Sequence, residues 1–398
     1  MENLSIMNFD ISEEQRALLE VVDKACQEIR PIEDRCYLEG RYNDQVVEIA
    51  KRAHLTGLPI DERYGGEGAD LMTYALALER IGREGSSVRT FFSGHLSIGA
   101  LTIQKWGTDE QKRRYLPRVA AGDWVMAFAL TEPTAGSDPA SLRTTFEDCG
   151  GYYKLNGSKQ WISNGTIAHV ITAYARDKRD DRISAFIVEF DSPGYRTEKH
   201  LHKMGLTTSD TGMIYFDDCI VPKENLLGGL GQGLTVAYTT LMSGRLSVAA
   251  GCVGTMQDCL DEAVNYAKQR VQHGKPIAKH QLVQRHIGLI SANLEAARYL
   301  TYAAAYAKMK WDQEPDNREL RSRADAMIAR AKYVATNACF DAAHRAVQVF
   351  GGNGYSLEYR VARHECDSRV TQIYEGTNEI LEQKIAVDVL GREYEAYR

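Results

Sequence analysis

The sequence has no Cys-x-x-Cys pair, no long apolar run, no basic excess and little proline. Each absence closes off a class of protein. Eight cysteines (Cys26, Cys36, Cys149, Cys219, Cys252, Cys259, Cys339, Cys366) are scattered singly, so neither a zinc site nor a disulfide framework has the spacing it needs. They read as reduced, mostly buried small hydrophobes. The histidines show no ligand spacing either, and no metal is expected. No stretch of about 18 apolar residues occurs, which excludes a membrane-spanning helix. With 48 Lys+Arg against 54 Asp+Glu the net charge is −6, so there is no concentrated basic surface of the kind that binds nucleic acid. The opening MENLSIMNFDISEEQ starts with an acid and has neither a basic n-region nor an Arg-rich presequence. Export and organelle import are not expected, and a cytoplasmic location is.

What is present is enough chain for two or three domains, 398 residues at 44% hydrophobic and 26% charged. The first third reads helical. Ser12 and Gln15 form a capping box, and Ala17, Leu18, Val21, Val22, Ala25 and Ile29 recur at helical spacing until Pro31. After a Tyr64-Gly65-Gly66-Glu67-Gly68 break come LMTYALALERIGREG and TDEQKRRYLPRVAAG, the latter with a Thr108 cap. Near residue 125 the period changes to that of strands. GYYKLNGSKQWI reads as a hairpin turning at Asn156-Gly157, and HVITAYARD, RISAFIVEFD and TGMIYFDDCIVP follow. The chain then returns to helix, with no proline between Pro222 and Pro276 or after Pro315. The expected architecture is mostly α with a central antiparallel β domain: residues 1–125 helical, 126–232 β and 233–398 a helical bundle. Sequential βαβ alternation is absent, which excludes a Rossmann domain.

Four segments carry candidate chemistry. FALTEPTAGSD (Phe128 to Asp138) has the Gly, Ser and Thr content of a loop that offers N–H groups and hydroxyls to a ligand. QWISNG (Gln160 to Gly165) sets an indole beside a hydroxyl. QVFGGNGY (Gln348 to Tyr355) would let a ligand approach the backbone at its paired glycines. In IYEGTNEI (Ile373 to Ile380), Glu375 stands in a weakly charged stretch where burial would raise its pKa and suit it to general-base work. Taken singly, three of these segments also fit a purely structural role: a connecting loop, a core tryptophan, a surface glutamate.

In this order, together with YGGEG and RVQHGKPI, the segments resemble the acyl-CoA dehydrogenase family along essentially the whole chain. The resemblance implies a three-domain fold, FAD as cofactor, an acyl-CoA thioester as substrate, an electron-transfer flavoprotein as electron acceptor and a homotetramer. Carried over residue by residue, it assigns Phe128, Leu130, Thr131, Gly136 and Ser137 to the flavin, with Trp161, Ile162 and Ser163 against the isoalloxazine. Arg270, Gln272, Gln281, Gln348, Val349, Gly351 and Gly352 are assigned to the FAD phosphates and adenine across a subunit interface, and Thr377, Asn378 and Glu379 close over the cofactor. Glu375 matches the catalytic base that removes the α-proton while hydride leaves the β-carbon for flavin N5. Some branches place their base one residue before the position of Arg245; that position is Gly244 here, which leaves Glu375. Arg89, Ser93, Ser137, Arg245, Tyr374 and Gly376 are assigned to the substrate.

Met242 and His273 depart from common residues of the family, Asp and Phe respectively. Arg89, with Ser93 four residues on, resembles glutaryl-CoA dehydrogenases, and the spacing puts both on one helix face. Arg89 either meets a polar group at the distal end of the acyl chain or pairs with Glu79 or Glu84. A short-chain aliphatic acyl-CoA is the default substrate. A dicarboxylic, glutaryl-type thioester and an acyl group on a carrier protein are the alternatives, and an FAD-binding member without dehydrogenase activity is a second class.

Overall fold

The computed structural model describes residues 10–200 and 202–396. Helix α1 (Glu13–Glu39) starts at the expected capping box: the Ser12 hydroxyl accepts the Gln15 N–H at 3.1 Å and Gln15 Oε1 accepts the Ser12 N–H at 3.0 Å. It does not stop at Pro31. Proline costs the helix one N–H, yet Glu33, Cys36 and Tyr37 beyond it are buried, and that packing carries the helix on to Gly40. Next come α2 (Gln45–Arg52), α3 (Leu71–Gly82) capped by Asp70, and α4 (Ser86–Phe92). A π-helical stretch (Ser93–Ala100) then runs into α5 (Leu101–Trp106), and α6 (Asp109–Ala120) begins at a second capping box, Thr108 with Gln111. Within the π-helical stretch His95 is fully buried. Its Nδ1 accepts the Met126 N–H at 3.2 Å and its Nε2 donates to the Thr56 carbonyl at 3.1 Å, which fixes the neutral tautomer.

The strands are β1 (Met126–Ala129), β2 (Thr145–Asp148), β3 (Tyr152–Ser163), β4 (Val170–Asp177), β5 (Ile183–Glu189), β6 (Tyr195–Lys199), β7 (Thr211–Pro222) and β8 (Leu226–Leu227). They form one sheet in the order β6-β7-β3-β2-β4-β5-β8. The sheet is mixed, where the sequence suggested an antiparallel one. β1 and β2 both run parallel to β4 and share one of its edges, β1 on Val170–Ala173 and β2 on Arg176–Asp177. The loop between them, residues 130–144, is thrown out of the sheet, and it contains the TEPTAGSD segment. Asn156-Gly157 is not a turn either. β3 continues through it, because β7 pairs with both halves, while β2 pairs with Tyr153–Asn156. The site is a bulge: Asn156 exchanges hydrogen bonds with Asp218 at 2.9 and 3.0 Å, and a Cβ on Gly157 would lie 2.7 Å from the Thr144 Cα. The hairpin turns at Cys149–Gly151 instead.

The C-terminal helices are α7 (Gly233–Gln269), α8 (Gln281–Gln313), α9 (Arg318–Phe350), α10 (Arg360–Thr371) and α11 (Asn378–Leu390), with the short ribbon β9 (Val271–Gln272) and β10 (Lys275–Pro276) after α7. Along its middle α7 is buried on every side, Met242 through Met256, where small and apolar residues predominate and Arg245 is the one charged side chain. Backbones touch where α3 crosses it: a Cβ on Gly82 would stand 2.4 Å from the Gly251 carbonyl oxygen. Asp258 of α7 ties three helices together, accepting from Arg30 at 2.9 Å, Arg360 at 3.0 Å and His364 at 2.8 Å. Burial alone would raise its pKa, but the hydrogen bond to His364 and the guanidiniums of Arg360 and Arg30 outweigh burial and hold it well below the usual range. No helix among the described residues is long and apolar enough to cross a membrane.

Candidate functional site

A cleft of about 780 Å³ opens between the sheet and the C-terminal helices. One wall is built from the two irregularities of the sheet. Phe128 ends β1, and Leu130, Thr131, Gly136 and Ser137 belong to the loop that interrupts the β1–β2 edge; all line the cleft. Beside them β3 bulges against β7 after Lys159, with Trp161 at φ 61°, and Trp161, Ile162 and Ser163 line the same wall. The Gln160 N–H donates to the Thr131 carbonyl at 2.9 Å and joins the two segments. Trp161 is 54% exposed, one face stacked on His200 with centroids 4.4 Å apart.

Beneath this loop lies an ion pair that sequence reasoning missed. Lys159 and Glu132, 0% and 3% exposed, meet at 2.7 Å. Lys159 also donates to the Leu130 carbonyl at 3.3 Å, and Glu132 accepts the N–H groups of Arg143 and Thr144 at 2.6 and 3.0 Å. Burial depresses the Lys159 pKa to about 8 even against Glu132. A lysine in a strand carries no sequence signal for such a role.

The opposite wall carries Glu375 in the turn between α10 and α11. Glu375 (φ 53°) and Gly376 (φ 95°) are both left-handed, and Thr377 caps α11. Arg245 Nε donates to the Glu375 carbonyl at 2.9 Å and Lys332 Nζ to the Gly376 carbonyl at 2.9 Å. Of the carboxylate oxygens, Oε1 accepts from the Ser93 hydroxyl at 3.2 Å and Oε2 has no hydrogen-bond partner among the described residues. Burial raises the Glu375 pKa; Arg89, the Ser93 hydrogen bond, Arg245 and Lys332 oppose this without cancelling it. The Glu375 and Gly376 N–H groups donate to no acceptor among the described residues.

Arg89 is 2% exposed and lines the cleft beside Thr90 and Ser93. It donates to the Tyr374 hydroxyl, and its guanidinium carbon lies 5.4 Å from the centre of that ring. Its stem runs over Gly251, where a Cβ would meet Cγ at 2.7 Å. The carboxylates expected to pair with it are engaged elsewhere: Glu79 with Arg298 at 3.1 Å and Tyr302 at 2.6 Å, Glu84 with Arg30 at 2.7 Å. No carboxylate forms an ion pair with Arg89 among the described residues.

Glu375, Arg89, Ser93, Ser137, Arg245, Tyr374 and Gly376 therefore share one cleft with Phe128, Leu130, Thr131, Gly136 and Trp161 to Ser163. Other assigned residues do not. Arg270, Gln272, Gln281, Gln348, Gly351 and Gly352 are exposed where α7 and α9 end, and Val349 is buried there; none lines the cleft. That end is held by Tyr266 stacked on Phe350, centroids 4.1 Å apart, and by Asn353 donating to the Tyr266 hydroxyl at 3.1 Å. Thr377, Asn378 and Glu379 do not line the cleft either: Thr377 caps α11, Asn378 is buried among Lys332, Thr336 and Asn337, and Glu379 is exposed.

The sheet-side wall suits a flat heteroaromatic ring with a polar edge. It offers an indole half open to the cleft, the Ser163 hydroxyl and a loop where a Cβ on Gly136 would meet nothing within 4 Å. Across from it stands a carboxylate oxygen that no group among the described residues satisfies. These residues fit a flavin.

Comparison with known proteins agrees with this geometry. The family models for the N-terminal, middle and C-terminal domains of acyl-CoA dehydrogenases match residues 12–123, 127–219 and 231–390. The chain is 41% identical over 385 residues to an acyl-CoA dehydrogenase of Bacillus subtilis, covering 96% of this chain and 99% of that one. It is 37% identical to a short-chain specific acyl-CoA dehydrogenase of Megasphaera elsdenii, covering 94% and 97%. Among solved structures, a glutaryl-coenzyme A dehydrogenase in complex with glutaryl-CoA superposes with TM-score 0.91 at 36% identity, covering 98% of each chain. A structure described under the electron transferring flavoprotein of Acidaminococcus fermentans gives 0.91 at 36% identity, covering 96% and 100%. The chain belongs to the acyl-CoA dehydrogenase family of FAD-dependent oxidoreductases.

Proposed function

We propose that this protein dehydrogenates a short acyl-CoA thioester between Cα and Cβ, with Glu375 as the base. The observation that carries the reading is the Glu375 carboxylate itself. One oxygen is steadied by Ser93, the other has no partner among the described residues, and Glu375 lines the same cleft as the Trp161–Ser163 wall. Oε2 takes the α-proton, and the desolvation that raises its pKa makes it a stronger base than a free carboxylate. A carbon acid needs its carbonyl polarised as the proton leaves. The unpaired N–H of Glu375, on the same turn, is the donor for the thioester oxygen, fixed in advance by the hold of Arg245 and Lys332 on the turn's carbonyls. Bound FAD supplies the acceptor for the β-hydride. Thr131, Ser163 and the loop amides hold it, and the Lys159–Glu132 pair keeps that loop in place.

A second reading of the substrate rests on Arg89. A buried guanidinium that lines the cleft and has no carboxylate partner among the described residues favours a chain whose distal end is a carboxylate, as in a glutaryl-type thioester. The exposed groups around Arg270 and Gln348 lie outside their own cleft, which supports an oligomer in which they serve the FAD of a second copy; a tetramer is the expected form. An electron-transfer flavoprotein is the acceptor of the electrons, and the cytoplasm the proposed location.

The decisive test is anaerobic flavin bleaching by an acyl-CoA in Glu375→Gln. The near-isosteric amide should retain FAD and abolish bleaching. Bleaching near the wild-type rate would move the base elsewhere.

A further inference from the structure

Lys332 lies on α9 and is fully buried, yet no carboxylate forms an ion pair with it among the described residues. A buried ammonium is costly unless its donors are satisfied. Two neutral oxygens do that here: the Gly376 carbonyl at 2.9 Å and Asn378 Oδ1 at 3.0 Å. Asn378 is itself locked. Its side-chain amide donates to Thr336 Oγ1 at 3.0 Å and Asn337 Oδ1 at 3.1 Å, and its N–H to the Gln372 carbonyl at 2.9 Å. Lys332 therefore ends a buried polar chain that ties α9 to the turn bearing Glu375.

Arg245 grips the preceding carbonyl, that of Glu375, from α7. Two cations on two different helices thus hold two successive carbonyls. The peptide between Glu375 and Gly376 cannot rotate without breaking one of these bonds. A left-handed glutamate persists only where its surroundings over-determine it, and here they do.

We propose that Lys332 is a positioning residue for α-proton abstraction: by holding the Gly376 carbonyl it fixes the turn that aims the Glu375 carboxylate into the cleft. The proposal rests on the reading of Glu375 as the base. Charge adds a second effect. Glu375 is faced by Arg89 from α4, Arg245 from α7, Lys332 from α9 and Tyr374 from its own turn, and each of the three cations favours its ionised form. Lys332 is faced in turn by Cys252, Glu375, Arg245 and Glu379, with burial the largest influence on it.

The test compares FAD-loaded wild type, Lys332→Met, Lys332→Gln and Glu375→Gln by anaerobic single-turnover bleaching with butyryl-CoA and glutaryl-CoA, across a range of pH. Lys332→Met should keep the flavin spectrum and bind thioester within a few-fold of wild type. Its bleaching should slow about 100-fold, the scale set by a misplaced reacting group. The acid limb of its pH profile should move to higher pH, because one cation near the carboxylate is gone. Lys332→Gln keeps a donor for the Gly376 carbonyl without the charge, so it should recover most of the rate and retain the shifted limb. Wild-type rate and pH profile in Lys332→Met, whatever its melting temperature, would overturn the proposal. Should that variant not fold, an unshifted acid limb in Lys332→Gln overturns it instead. Bleaching that survives in Glu375→Gln refutes the base assignment, whereas an inert Glu375→Gln beside unaffected Lys332 variants refutes only the role of Lys332.

Discussion

Gly244 and Glu375 occupy one space: a Cβ added to Gly244 would stand 1.7 Å from Glu375 Oε2. The glycine on α7 is what lets the carboxylate lie down over that helix. Glu375, the proposed base, and position 244, the alternative place that the sequence resemblance implies for a base, thus converge on one point, and a side chain at 244 would displace the carboxylate.

Gly244→Ala should therefore push the carboxylate off its mark. A single methyl group forced into this contact costs about 1–3 kcal/mol of stability by overpacking. The larger effect is on rate: bleaching by thioester should fall about 100-fold while FAD content stays constant. Stopped-flow absorbance on the purified variant checks both, and an unchanged bleaching rate would show that Glu375 does not work from this position.

Arg89→Met separates the two substrate readings. Losing a charged hydrogen-bonded pair whose other half stays buried costs about 2–5 kcal/mol, so turnover of glutaryl-CoA should fall by well over tenfold. Butyryl-CoA should be turned over as before or faster, because a guanidinium with no carboxylate partner among the described residues has left its pocket. Equal losses on both substrates would assign Arg89 to the support of Tyr374, to which it donates, and leave the aliphatic reading in place.

His95 should make stability fall in mild acid. Burial lowers its pKa from 6.5 to about 4, so below the ordinary histidine pKa the unfolded chain binds a proton that the folded chain refuses. The stability is intact above pH 6.5 and is lost progressively as pH falls toward about 4, by about 3 kcal/mol in total. His95→Gln keeps a donor and an acceptor but cannot titrate. Denaturant melts of both proteins at neutral and acid pH should show the extra loss only in the histidine form; identical losses would remove His95 as the cause.

The helical parts were readable because their signals are local. Ser12 with Gln15 and Thr108 with Gln111 each cap a helix through neighbours three residues away. The β-domain readings went astray where partners are distant. Asn156-Gly157 has the composition of a turn, but whether it turns or bulges depends on Asp218 and Thr144, which the local window does not contain. The parallel pairings of β1 and β2 with β4 depend likewise on where a long loop brings the chain back. At the site, Glu375, Arg89 and Trp161 could be named because their motifs are distinctive. Gly244 was noticed only as a missing carboxylate, and its contact with Glu375 appears only in three dimensions. Lys332 and Lys159 left no trace in the sequence, since a buried lysine is recognised by what surrounds it.

The π-helical stretch from Ser93 to Ala100 sets the phase of everything around it. In an α-helix each added residue turns the following side chains by about 100°, so a face chosen at one end dictates the face at the other. Wider i→i+5 bonding breaks that gearing. It lets Ser93 and Ile98, five residues apart, both line the cleft, while His95 between them faces the other side, onto Thr56 and Met126. One continuous rod thus answers to two neighbours, with residues five apart on one wall that a regular helix would set about 140° apart.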